Sequence, residues 1–341
     1  MLLEQFLAPR ILIVAGKGGV GKTTVAAALA LVAARSGRRV CIAEIDRTGT
    51  LPKLFGREAL SYDPSELSPG VWGMEVVVEE AMAEYLEVQY HIRRISRVLT
   101  GAHFIDYITT AAPGLKDIFV LGKIWYLEQG RPVAGASPKF DTIIVDAQAA
   151  GHMLTFLSAP MGLSDTVQVG PVRKQSDWLG DMLRNPARTR VHIVTLLEEM
   201  PVAETLETTA ALDERLGISS GAVFANAVYS EALPRNDWLE AHDGARLGGA
   251  GGLTKPLAGR SALRSEAKAA GITLDDEDFD ALFAYARFLE ARQKVQRHHL
   301  RALRRGTARP VVELPFLFSA GLALPDIDRL ADVIQDGIAA L

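Results

Sequence analysis

Residues 11–24 read I-L-I-V-A-G-K-G-G-V-G-K-T-T, and the reading of this stretch decides the fold. Ile11 to Ala15 is a short unbroken apolar run, the pattern of a strand buried on both faces. The spacing G-x-x-x-x-G-K-[ST] follows at Gly16, Gly21, Lys22 and Thr23. The Ala-rich segment Thr23 to Ser36 then predicts a helix. Between strand and helix, Gly16, Lys17, Gly18, Gly19, Val20 and Gly21 can turn tightly enough to aim several backbone N–H groups at one anion. The helix beginning near Lys22 adds the positive end of its dipole. Lys22 can neutralise β- and γ-phosphates, with Thr23 and Thr24 at the helix start and the Thr23 hydroxyl available to Mg²⁺. The stretch therefore predicts an ATP site with Mg²⁺.

Outward from this loop the chain alternates between strand and helix signals. Strands are expected at 39–45, 140–145, 166–169 (T-V-Q-V), 190–196, 221–228 and 309–314, and a closing amphipathic helix at 325–341. Such alternation predicts an α/β, doubly wound, mostly parallel sheet covered on both faces. Two segments interrupt it. Residues 76–129 carry apolar side chains at helical spacing, so an α-helical subdomain is expected over 76–135 together with about 156–188. Residues 231–305 combine a Gly-rich stretch at 248–252, read as a mobile loop, with a long helix over 276–305.

Two aspartates lie where phosphate chemistry could use them. Asp46, in E-I-D-R-T-G-T, follows the second strand and could accept a hydrogen bond from a water aligned on a γ-phosphorus. Asp146 follows Ile143-Ile144-Val145 and is expected to end that strand, holding Mg²⁺ through a water. Either could instead be an ordinary strand-end aspartate.

Composition bounds the partners. The 341 residues carry 37 basic and 41 acidic side chains, a formal net charge of −4, so no general attraction to nucleic acid is expected. The basic run from Arg287 to Arg309 reads as a solvated helix face. Cys41 is the only cysteine, which excludes an intrachain disulfide and a Cys-x-x-Cys metal clasp. The first residues lack a basic leader, and the longest apolar run, 25–34, is about half of the ~20 residues a membrane span needs. A cytoplasmic protein without stable membrane insertion is expected.

Lys17 is an additional lysine inside the loop, in K-G-G-V-G-K-T-T. Residues 146–157 read D-A-Q-A-A-G-H-M-L-T-F-L, residues 194–205 read V-T-L-L-E-E-M-P-V-A-E-T, and Glu313-Leu314-Pro315-Phe316 stands near the end. Together these resemble the arsenite-pump and tail-anchored-protein-targeting ATPases, in particular their bacterial branch, over about residues 10–335. The resemblance implies that Lys17 reaches across a dimer to the partner's nucleotide and that Asp46 handles the attacking water. It also implies that Asn226 contacts adenine, that Pro315 and Phe316 close the adenine pocket, and that His152 couples the switch to the helical region. Two departures stand out. The family's D-P-A-H-N is here Asp46-Arg47-Thr48-Gly49-Thr50, and its D-T-A-P-T-G-H is here D-A-Q-A-A-G-H. The three thiols of an arsenite site are absent. What the resemblance implies is a Mg²⁺-ATP-dependent dimer, of two like chains or of this chain with a related one. Its nucleotide state would move a helical subdomain that captures a client such as a hydrophobic protein segment. The alternative is a weakly or non-hydrolysing, nucleotide-gated half of a heterodimer.

Overall fold

Strand β1 (Ile11–Gly16) is buried at all six positions because it lies inside a sheet covered on both faces. The computed structural model describes residues 3–45, 49–90, 114–130, 139–167, 169–229, 264–265, 267–269 and 271–341. β1 pairs in parallel with β5 (Thr142–Ala149) on one side and β6 (Thr189–Leu196) on the other. The remaining strands are β2 (Val40–Glu44), β3 (Ser65–Ser68), β4 (Val71–Glu75), β7 (Ser220–Val228) and β8 (Val311–Pro315). Among the described residues the strands form one eight-stranded sheet in the order β3-β4-β2-β5-β1-β6-β7-β8. Every pairing is parallel except β3 with β4. The fold is therefore α/β with a mostly parallel mixed sheet, as expected of a phosphate-loop nucleotide-binding protein.

The period-two alternation of β1 divides the core. Leu12 and Val14 enter one apolar cluster with helices α2 (Lys22–Arg35) and α10 (Leu324–Ala339). Ile11, Ile13 and Ala15 enter the opposite cluster, with α5 (Leu115–Glu128), α6 (Ala150–Thr166) and α7 (Pro171–Arg184). Helix α2 is buried at nine successive positions, Val25 to Ala33, so it is apolar all round. The short α1 (Leu3–Phe6) and α3 (Thr50–Leu54) flank this side, with Phe6, Leu51 and Leu54 in the same cluster. Helix α4 (Val78–Tyr90) packs on α5, which in turn contacts α6 and α7. Helix α8 (Glu199–Ala210) runs on through a π-helical turn, Ala211–Leu216, and contacts α9 (Asp276–Gly306).

Three expectations need correction. Among its described residues the segment 166–169 carries no strand: Thr166 ends α6, and the Val167 N–H still donates to the Leu163 carbonyl, 2.9 Å away. The β-branched residues were outweighed by continuation of a helix. Asp146 does not end its strand, because β5 runs on to Ala149. Strands β3 and β4 extend the sheet beyond β2 where no strand was expected. Residues 91–113 and 131–135 of the expected helical subdomain, and the Gly-rich stretch 248–252, lie outside the described residues.

Candidate nucleotide site

The carboxyl end of β1 opens into the phosphate loop, between β5 and β6. Gly16 adopts φ 150°, and a Cβ there would lie 2.2 Å from the Val194 carbonyl oxygen, so the close approach of β1 to β6 excludes any side chain. Gly21, at φ 95°, is the N-cap of α2, and no side chain caps it. The first N–H groups of α2 are thereby left for an anion. The loop is closed from the far side: the Asn226 Nδ2 donates to the Val20 carbonyl at 2.8 Å. A Cβ on Gly21 would meet that amide nitrogen at 2.3 Å. Gly18 and Gly19 are exposed, and Val20 anchors the loop in the core at 2% exposure.

The two loop lysines take different directions. The Lys22 Nζ donates back to the Lys17 carbonyl at 3.3 Å, arching over the loop. The Lys17 Nζ lies 3.3 Å from Glu204 Oε2 on α8. Thr23, beside Thr24 on the first turn of α2, donates its hydroxyl to Asp146 Oδ2 at 2.6 Å. Asp146 is buried, in register with Val14 of β1 and Glu44 of β2. A threonine hydroxyl and a carboxylate side by side, next to the loop, are the oxygen donors that suit Mg²⁺. Asp46 lies outside the described residues, but the chain reaches the site just ahead of it: the Ile45 N–H donates to the Asp146 carbonyl at 3.3 Å.

Beyond Asn226, the ends of β7 and β8 carry an aromatic group that sequence reading found only in part. Pro315 ends β8, and the Phe316 N–H donates to the Val228 carbonyl at 2.8 Å. The Phe316 ring stacks on Tyr229, with centroids 4.9 Å apart and an interplanar angle of 24°. Phe318 stands edge-on to Phe316 and is 69% exposed. Tyr229 and Phe318 were missed, although the alternation in Pro315-Phe316-Leu317-Phe318 was a usable signal. His152 is exposed on the first turn of α6 rather than buried as a core histidine. Cys41 is buried in β2, and burial pushes its thiol up to about 12, so it is no nucleophile at neutral pH.

Comparison with known proteins fits this geometry. The family described as anion-transporting ATPase matches residues 9–178, which contain the loop, Asp146 and α6. The chain is 31% identical over 339 residues to the ATPase BagA of Mycobacterium tuberculosis, across 96% of this chain and 94% of that protein. The chain belongs to the anion-transporting ATPase family. Within that family it is also 26% identical over 250 residues to an arsenical pump-driving ATPase of Acidiphilium multivorum, and 25% over 256 residues to one of Escherichia coli. Those alignments take in 68% and 70% of this chain but only 42% and 43% of the two pump proteins. Membership in this ATPase family carries nucleotide binding with it. Among the described residues, no helix of this family member is long and apolar enough to cross a membrane.

Proposed function

We propose that the chain is a Mg²⁺-dependent ATP hydrolase that works as a dimer and turns nucleotide state into movement of its helical layer. The observation that carries this reading is the join of the uncapped loop to Asp146 through Thr23 at 2.6 Å. In it, Gly16 to Gly21 and the start of α2 cradle the phosphates. Lys22 neutralises them, and Thr23 with Asp146 would hold the metal, which when bound would neutralise charge on the β- and γ-phosphates. Asp46 accepts the proton of the attacking water or aligns it. Asn226 lies between the loop and the aromatic group at Tyr229 and Phe316, a placement that suits an adenine stacked on those rings. The helices α4 to α7 form the layer through which a client, such as a hydrophobic protein segment, would be captured. Asp146 is the link: β5 runs from it directly into α6, so a displacement of Asp146 would be passed to that layer.

A second reading is favoured by one feature. Ala147 and Ala150 lack the hydroxyls found at the family's switch, which suits a chain that binds ATP but turns it over slowly beside a more active, related partner. Calorimetric titration with Mg²⁺-ATP tests the shared part of both readings. Wild type should bind, and Lys22→Ala should lose binding with an unchanged far-UV circular dichroism spectrum. Undiminished binding by that variant would remove the site assignment.

A further inference from the structure

Helix α9 is 31 residues long and holds its charges apart. Its start carries five acids, Asp275, Asp276, Glu277, Asp278 and Asp280. From Arg292 to Arg305 it carries Arg292, Lys294, Arg297, Arg301, Arg304 and Arg305, with no acid between them. Complementing the helix dipole accounts for acids in the first turn and arginines in the last. It does not account for Lys294, Arg297 and Arg301, which lie further in; Arg292 is held by Glu198 at 3.0 Å.

The same helix leaves an apolar seam in water. Ala281, Ala284, Phe288, Ala291 and Val295 are all exposed and recur at alternating spacings of three and four, the a and d positions of a heptad. Phe288 is 52% exposed and Val295 44%, with Leu282 and Tyr285 exposed alongside. A separate stripe, with Phe279, Ala286, Leu289, Gln296 and Leu303, is the one buried against the rest of the chain. Gln296 fixes where the helix meets the sheet: its side chain accepts from the Tyr229 N–H at 2.8 Å and donates to the Ala227 carbonyl at 2.9 Å. About 30 Å of helix precedes that point. An isolated exposed apolar residue needs no explanation, but a seam at heptad spacing does.

We infer that this seam is a self-pairing surface, on which two copies of the chain dock α9 against α9 in antiparallel orientation. The charge pattern selects both occupant and direction. Antiparallel pairing sets the acidic start of each helix against the basic end of the other. Parallel pairing would set like against like. With Phe288 opposite Ala291 of the second copy, Ala284 falls opposite Val295, so each large side chain meets a small one. Residues 275–280 then lie opposite 299–304, which include Arg301, while Arg304 is held by Glu313 of its own chain at 2.6 Å. The contact is isologous, as a closed two-fold dimer requires. It needs no nucleotide and is independent of the pairing through Lys17.

Sedimentation velocity of the full, nucleotide-free chain over a concentration series tests the inference. Wild type should form a dimer. Phe288→Asp should raise the dissociation constant at least about tenfold, the loss expected for a central aromatic anchor. Its thermal midpoint and Mg²⁺-ATP binding should stay unchanged. Two charge-reversed chains decide the orientation. Glu277→Lys with Asp280→Lys leaves three acids against two new lysines at the acidic start, and Arg297→Glu with Arg301→Glu leaves four basic residues against two new glutamates at the basic end. Each alone should self-associate more weakly, and an equimolar mixture should regain dimer. A wild-type monomer overturns the inference, as does a dimer that Phe288→Asp leaves intact. A Phe288→Asp chain that loses thermal stability instead of dimer shows that the seam is covered by its own chain, and also overturns it.

Discussion

His192 sits in the middle of the sheet with no exposed surface, stacked 4.7 Å from Phe6 and tilted against Phe224. Its Nδ1 accepts the Ala222 N–H at 3.1 Å, so the ring must be neutral there. Burial, with the Arg190 charge nearby, pushes it down to about 3. The folded value lies below the unfolded value of about 6.5. Below pH 6.5 the unfolded chain therefore takes up a proton that the folded chain refuses, and stability falls as pH falls. From pH 7.5 to 5 this one residue should remove about 2 kcal/mol, a window in which exposed carboxylates scarcely titrate. Urea midpoints measured across that window should decline for wild type and stay nearly flat for His192→Gln, whose side-chain carbonyl can still accept from Ala222. Equal slopes would mean that the histidine is not the group responsible. Residue scale is also where the phosphate loop was most legible. Glycine spacing, lysine and threonine are read locally, and the same local rule places Gly16 and Gly21 at backbone angles and close approaches that a side chain would obstruct.

At the scale of elements, α4 and α5 are joined by a pair of charges well away from water. The Lys123 Nζ lies 3.0 Å from Glu84, with the two side chains 9% and 11% exposed. The Tyr62 hydroxyl also donates to Glu84, and Lys123 stands 4.2 Å over the Tyr62 ring. Burial, reinforced by the Glu84 charge, pushes the Tyr62 hydroxyl far above its ordinary range, so it stays a donor. Removing one member of such a pair leaves the other charge buried without an anion. Glu84→Ala should therefore cost about 3 kcal/mol in urea unfolding. Adding Lys123→Met should return at least half of the loss, because the uncompensated charge goes with it. A double variant no more stable than Glu84→Ala would show that packing, not charge, sets the cost. None of this could be read ahead of the structure, since Tyr62, Glu84 and Lys123 share no local pattern. Where the sequence did speak clearly, the cause was local pattern: the apolar runs of β1 and β6 and the long helix expected over 276–305 survive in the fold. Strand β4 escaped because Val71-Trp72-Gly73-Met74-Glu75 is short, holds a glycine and becomes a strand by pairing with β2 far back in the chain. Thr166 to Val169 misled for the opposite reason, a β-like composition at the end of an α-helix that Leu163 prolongs.

At the scale of the whole molecule, the ion pair of Lys17 with Glu204 bears on where Lys17 acts. In the proposed site Lys22 serves the phosphates from within the loop, over which its Nζ arches to the Lys17 carbonyl, whereas Lys17 points to α8, 3.3 Å from Glu204. Both side chains are about one-third exposed, so the pair is weakly held and can be exchanged for a stronger anion. A phosphoryl group undergoing transfer is such an anion, and a cation delivered by a second subunit can accelerate its transfer strongly. The reading of Lys17 as that cation makes turnover, but not ATP binding, depend on a second chain. Lys17→Ala should lower turnover by roughly a hundredfold or more while ATP still binds. Asp46→Asn should do the same for a different reason, loss of the group that handles the water. Mixing the two inactive proteins separates the cases. If Lys17 serves the partner's nucleotide, a mixed dimer holds one site with Lys17 from one chain and Asp46 from the other, and activity partly returns. If Lys17 serves its own nucleotide, every site in the mixture lacks one group and nothing returns. Glu204→Gln is a useful third chain: with Lys17 released, it should keep or raise turnover. A fall in turnover would instead mean that Glu204 positions the lysine. Lys17→Ala hydrolysing ATP at the wild-type rate would remove the mechanistic role of the second lysine altogether.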